Sequence, residues 1–91
     1  MPEELEGKGT LRRLEPPTAE WQVEYRFAIA MAIRQRTGFP RIGARLYSSG
    51  TVSASDGKVI PEGYYELTAQ DGEILRVKNL GIGQWTILAP L

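Results

Sequence analysis

The sequence predicts an all-β fold: a small antiparallel meander barrel or sandwich of five to six strands with a long central hairpin. Large apolar residues recur at every second position over residues 21–34, as they do along one face of a strand. Turn dipeptides such as Asp56-Gly57 and Asp71-Gly72 divide the C-terminal half into short segments. With 91 residues, 42% of them apolar, the chain is long enough for one domain with its own core.

The N-terminal segment is expected to add little to that core. Residues 1–8 contain three glutamates and few apolar side chains, which indicates a flexible acidic tail. Residues 9–91 then form a single small β domain that opens with a short strand at Thr10–Leu14. Pro16-Pro17 ends this strand, because a proline has no N–H to donate to a ladder.

The first strand of the central hairpin is predicted at Trp21–Arg34. Helix signals oppose this interpretation, since Thr18 is a suitable N-cap and Gly38 and Pro40 follow the segment. We favour the strand because the large apolar residues share one parity and are mostly aromatic or β-branched. They are Trp21, Val23, Tyr25, Phe27, Ile29, Met31 and Ile33.

The second strand of the hairpin follows a turn at Thr37–Pro40. From Ile42 the parity is reversed, and a break is expected near Ser48-Ser49-Gly50. The inward side chains of this strand are predicted to be Ile42, Ala44, Leu46, Val52 and Ala54.

The C-terminal half is predicted to hold three strands, Tyr64–Ala69, Glu73–Asn79 and Trp85–Leu88, after a connecting turn at Pro61-Glu62-Gly63. Gly57 and Gly72 are expected at positive φ in hairpin turns. The heptapeptides at 54–60 and 69–75 resemble each other, which we attribute to shared turn rules. The predicted core comprises Trp21, Phe27, Ile29, Leu67, Val77, Trp85 and Ile87.

Small residues occupy the second face of the first long strand. Ala28, Ala30 and Ala32 stand where an exposed strand would carry polar side chains. We therefore expect the sheet to wrap over this face or a second copy of the chain to pack there as a homodimer.

Composition excludes several kinds of chemistry. The chain has no Cys and no His, which removes thiol nucleophiles, disulfides, Cys/His zinc sites and a histidine base. No motif places Glu62 and Glu66 together as an acid/base pair, and the turn at residues 81–83 lacks the features of a phosphate loop. We predict no catalytic residues, no cofactor and no metal, and hence a protein that is not an enzyme. The least favoured alternative is an enzyme subunit that needs a partner to complete its site.

A membrane location is not expected either. The first residues lack the basic start and apolar run of a secretory signal. The longest apolar run, Phe27–Ile33, is far shorter than the ~20 residues that span a bilayer. The protein is therefore expected to be cytoplasmic.

Charge is unevenly distributed although the net charge is zero. Residues 26–45 contain five arginines and no acid, whereas both flanking segments are acidic. Arginine beside aromatic rings suits binding to carboxylates, phosphates or stacked bases. The candidate partner-binding residues are Arg34, Arg36, Phe39, Arg41, Arg45 and Tyr47.

Three interpretations of this stretch follow. The first is a non-enzymatic β module for protein–protein interaction or assembly, with an unknown and preferably acidic protein partner. The alternative is a nucleic-acid-binding small barrel that uses the arginine-rich hairpin at residues 34–45, although an isoelectric point near 6.3 argues against it. The third is a solvated hairpin tip whose arginines pair with the acidic segments. Binding that weakens steeply and log-linearly with salt would favour nucleic acid.

Overall fold

The structure, a computed structural model, describes residues 3–29 and 45–89. Within these residues the protein is all-β: six antiparallel strands close into a small barrel, and no helix occurs. The predicted fold class is confirmed, in its barrel form. The strands are β1 (Glu3–Arg13), β2 (Glu20–Ile29), β3 (Arg45–Ala54), β4 (Gly63–Ala69), β5 (Ile74–Asn79) and β6 (Trp85–Ala89).

The strands follow the order β1-β2-β3-β6-β5-β4 around the closed barrel. Two three-stranded meanders, β1–β2–β3 and β4–β5–β6, are thus joined through the pairs β3–β6 and β1–β4. A simple meander would place β3 beside β4, but these two strands lie on opposite sides of the ring. Residues 55–62, which we call the crossover, therefore carry the chain across one end of the barrel.

The central hairpin shows the alternation predicted from its sequence. β2 and β3 pair from Val23↔Ala54 to Phe27↔Gly50. Val23, Tyr25 and Phe27 are buried, and the even-numbered side chains between them are exposed. This pattern confirms the strand and excludes the helix for the described part of the segment.

The alanine face is described at one position only. Ala28 is exposed, whereas Ala30 and Ala32 lie outside the described residues. The homodimer stays a prediction.

The N-terminal segment differs from expectation. β1 begins at Glu3, so residues 3–8 belong to a strand and are not a flexible tail. They pair with β2 from Glu3↔Ile29 to Lys8↔Glu24, and Leu5 is buried in the core. The strand forms because a long neighbour supplies ladder hydrogen bonds and an apolar face to cover. Neither of these is visible in the local composition of the segment.

The core fills the inside of the barrel. Five of the predicted core residues are buried: Phe27, Leu67, Val77, Trp85 and Ile87. Trp21 is only partly buried, since it is the second residue of β2 and lies near the barrel end. The side chain of Ile29 lies outside the described part. β6 is buried on both faces, because Thr86 and Leu88 are buried as well.

The two Asp-Gly turns share one local structure. In each, the glycine has a positive φ, 78° at Gly57 and 89° at Gly72, as predicted. The glycine N–H donates to an alanine carbonyl three residues back, at 3.0 and 2.9 Å. The aspartate Oδ1 accepts from the backbone N–H two residues on, at 3.0 and 2.9 Å.

Only one of these turns closes a hairpin. Asp71-Gly72 connects the paired strands β4 and β5, as predicted. The hairpin prediction for Asp56-Gly57 is wrong, because this turn leads from β3 into the crossover. Ser55 donates to the Gln22 carbonyl at 2.8 Å, and Ile60 enters the core. The chain thus continues across the barrel end and does not return along β3.

Candidate functional site

The residues predicted to bind a partner are mostly outside the described part of the chain. Arg34, Arg36, Phe39 and Arg41 fall there entirely. Arg45 and Tyr47 lie in β3, but their side chains are also outside the described part. Binding by the arginine-rich stretch, to protein or to nucleic acid, therefore stays a prediction.

One arginine of residues 26–45 has a described side chain, and it forms ion pairs. Arg26 Nη2 lies 2.9 Å from Glu4 Oε1, and Arg26 Nε lies 3.8 Å from Glu6 Oε2. The hydrogen bond that Arg26 donates to Glu4, followed by the negative charges of Glu4 and Glu6, raises the pKa of Arg26. For this residue, pairing with the acidic N-terminal segment is the correct interpretation.

The two glutamates considered as an acid/base pair occupy different surroundings. Glu66 lies on the outer face of β4 between two arginines, with Arg12 Nη2 at 3.3 Å and Arg76 Nη1 at 2.9 Å. Glu62 lies in the crossover at the barrel end. Glu66 thus forms part of a cross-strand ion-pair row that joins β1, β4 and β5.

A cleft of ≈ 570 Å³ opens at the end of the barrel that the crossover spans. Residues 57–62 of the crossover and the glycines of the β5–β6 turn bound it, and the ends of β3, β5 and β6 complete its lining. We call it the end cleft. Its volume lies in the range of pockets that accept a small ligand or a few side chains.

Asn79 fixes the two segments that bound the end cleft. Its side chain is 5% exposed, and its Nδ2 donates to the carbonyls of Ile60 at 2.8 Å and Pro61 at 3.2 Å. Its Oδ1 accepts from the backbone N–H of Gly81 at 3.0 Å. One buried amide therefore holds both the crossover and the β5–β6 turn, with donors and acceptor all used.

Tyr65 supports the crossover from inside the barrel. Its hydroxyl donates to the Pro61 carbonyl at 2.5 Å, and its ring lies between those of Trp21 and Trp85, at centroid distances of 5.9 and 5.4 Å. Burial raises the pKa of Tyr65, the positive charge of Arg13 lowers it, and Glu15 raises it further. The net effect is a raised pKa, so the neutral hydroxyl is the favoured form.

This shift predicts a loss of stability in alkali. The pKa of Tyr65 is higher in the folded state than the value of about 10 in the unfolded state. The contribution of Tyr65 to the free energy of unfolding is therefore fully present below about pH 10 and is lost as the pH rises beyond it. Urea unfolding from pH 7 to 11 should show a shallower alkaline decline for Tyr65→Phe than for wild type. At pH 7 the variant should lose about 1 kcal/mol, through its hydrogen bond to Pro61.

Tyr64→Phe is the matched control, since Tyr64 is half-buried on the outer face of the same strand, beneath the Lys78 ammonium. At pH 7 its free energy of unfolding should stay within about 0.5 kcal/mol of the wild-type value. Identical profiles for Tyr65→Phe and wild type would contradict the role given to Tyr65.

Two aliphatic side chains project into solvent from the segments that bound the end cleft. Val59 is 90% exposed and Ile82 is 73% exposed, and they are the large hydrophobic residues that stand out as exposed in the described part of the chain. Val59 points outward because its neighbour Ile60 takes the core position. Ile82 is held at a turn tip between Gly81 and Gly83, which have φ of 84° and 77°.

The polar groups of the cleft are few. Lys58 and Glu62 line it with opposite charges, and both are exposed. Within residues 3–29 and 45–89, no three acidic side chains group together as metal ligands. The cleft therefore offers two exposed aliphatic side chains at its edge and one charged side chain of each sign.

Sequence reasoning did not identify Val59 or Ile82. The segment Gly81-Ile82-Gly83 was interpreted as a turn, which it is, and residue 59 was assigned to no element. The sequence contained a signal at Ile82, which is a branched aliphatic residue between two turn glycines, where polar residues are usual.

Among the described residues, no helix has the length and hydropathy needed to cross a membrane. Comparison of the chain with protein-family models, with curated proteins and with solved structures found no match in any of the three.

Proposed function

We infer that this chain is a non-enzymatic module that binds another protein, and that the end cleft is its contact surface. The observation that carries this proposal is the exposure of Val59 and Ile82 on the two segments that bound one cleft. Burying such a side chain contributes roughly 1.5–3 kcal/mol. Because Asn79 already holds both segments, little conformational entropy is lost when a partner binds.

The polar groups of the cleft also support binding more than catalysis. The Asn79 amide is fully used in holding the crossover and the turn. Lys58 and Glu62 are both exposed to solvent, whereas catalytic acids and bases usually lie in a site that excludes water. Ser53 also lines the cleft, and the chain has no His to activate its hydroxyl.

The points at which residues 30–44 leave and rejoin the barrel are remote from the end cleft. Ile29 and Arg45, which flank residues 30–44, lie at the barrel end opposite the end cleft, because β2 ends and β3 begins there. Substitutions at the cleft therefore leave the described ends of that segment unchanged. This independence allows the two hypotheses to be tested on the same variants.

The test uses a random dodecapeptide library panned against the wild-type protein. Enriched peptides should bind the double variant Val59→Asp/Ile82→Asp at least about tenfold more weakly, since each lost apolar contact is worth about one factor of ten. Gln70→Asp is the control for the effect of an introduced aspartate, because Gln70 is exposed in the turn at the opposite barrel end and receives one negative charge, as each cleft position does. Its affinity should equal that of wild type.

Both variants alter exposed positions, so thermal unfolding should confirm that they remain folded. Equal binding of the selected peptides to the double variant would contradict the proposal. Salt-dependent binding of a single-stranded oligonucleotide that survives in the double variant would instead favour the nucleic-acid hypothesis at residues 34–45.

A further inference from the structure

We propose that the end cleft takes its partner as an extended peptide segment, which pairs by main-chain hydrogen bonds with the crossover and places one branched aliphatic side chain beside Val59. This inference rests on the proposed function and specifies the chemistry of the partner. Three features of the cleft support it: the backbone at Val59, the glycines in the walls, and the small contact area.

Backbone groups of the crossover on both sides of Val59 form hydrogen bonds, whereas the N–H and C=O of Val59 are available to a partner. The N–H of Lys58 donates to Asp56 Oδ1 at 3.0 Å, and the carbonyls of Ile60 and Pro61 accept from Asn79. No hydrogen bond joins the N–H or C=O of Val59 to another residue in the described part of the chain. Main-chain groups that are held in place and left open can pair with an extended peptide.

Glycines leave room for a second main chain. Gly57 and Gly83 line the end cleft, and a Cβ built on either would meet no atom within 4 Å. Gly81 differs, because its surface is covered by the carboxylate of Glu62. Where no side chain intervenes, a partner's backbone can approach the wall closely enough to hydrogen-bond to it.

The contact area favours a segment over a second copy of the chain. A stable dimer buries about 800 Å² on each partner. The barrel has extents of 32 × 26 × 25 Å, and its end offers two exposed aliphatic side chains around a cleft of ≈ 570 Å³. Lys58 and Glu62 carry opposite charges there, which suits a segment without strong net charge of either sign.

The experiment starts from dodecapeptides that bind the wild-type protein and lose affinity for Val59→Asp/Ile82→Asp. Each is synthesised with a single backbone N-methyl group at successive positions, and binding to the intact protein is followed by fluorescence anisotropy. N-methylation should weaken binding about tenfold at the position that pairs with Val59 and less than about twofold at its neighbours, because the pairing is with Val59, whose N–H and C=O are both open. Alanine scanning should find one aliphatic position with a loss of about tenfold.

Each other result overturns the inference in a recognisable way. Side chains that matter at a spacing of three and four would show helical docking, which leaves the proposed function intact. A dimer in sedimentation that dissociates in the cleft double variant, but not in Gln70→Asp, would make a second copy the occupant. If no selected peptide depends on Val59 and Ile82, both the inference and the proposed function fail.

Discussion

Replacing Phe27 with alanine should lower the free energy of unfolding by about 3–5 kcal/mol, since it removes a large side chain from a closed barrel. Phe27 is 1% exposed and lies on the inner face of β2. A domain of this size has a total stability of roughly 5–14 kcal/mol, so the variant should lose a large part of it. Urea denaturation at pH 7 measures the change.

Glu24→Ala is the control for Phe27→Ala. Glu24 lies on the same strand with its side chain exposed on the outer face, and its substitution should change stability by less than about 0.5 kcal/mol. A loss below about 1 kcal/mol in Phe27→Ala would show that Phe27 does not occupy the core.

Gly50→Ala should destabilise the protein by about 1–3 kcal/mol or more through overpacking. A Cβ at position 50 would overlap the carbonyl oxygen of Arg26 and the ring of Phe27, the residue paired with Gly50 across the β2–β3 ladder. The Arg26 contact is with backbone, so it can be relieved only by moving β3 away from β2. Ser49→Ala, on the exposed side of the same strand, should be nearly neutral.

The double variant Phe27→Ala/Gly50→Ala separates the two parts of this clash. Without the ring, only the overlap with the Arg26 carbonyl remains, so the two losses of stability should add to more than the loss in the double variant. Strict additivity would mean that the ring is not in contact with Gly50. If Gly50→Ala causes no loss of stability in the Phe27→Ala background, the backbones of β2 and β3 are not in close contact at Gly50.

The alternation of β2 and β4 was predictable because it depends on a strand's own geometry. Successive side chains of a strand point to opposite faces, so residues that must be buried share one parity wherever the strand lies in the fold. Val23, Tyr25 and Phe27 follow this rule, as do Tyr65 and Leu67. β6 is the exception, since Thr86 is buried on the second face, which no pattern within a five-residue strand reveals.

The N-terminal strand and the ion pairs on its outer face were not predictable from composition. Glu4 and Glu6 read as part of an acidic tail until Arg26 is placed opposite them by the β1–β2 register. The same register explains why the first arginine of the basic stretch is paired with acids. These contacts connect residues about twenty positions apart, and the local sequence contains no signal for them.

The two Asp-Gly turns show where local rules end. Sequence alone determined the turn at each site, because a glycine after aspartate accepts positive φ and the aspartate oxygen closes the turn on the next backbone N–H. Tertiary structure decided that Gly72 closes a hairpin and that Gly57 opens the crossover, since β3 pairs with β2 and β6 and leaves no edge for β4. The end cleft, with Val59 and Ile82 at its edge, exists only through that choice of partners. Periodicity and turn chemistry act between neighbouring residues, whereas strand order depends on which distant faces best cover one another.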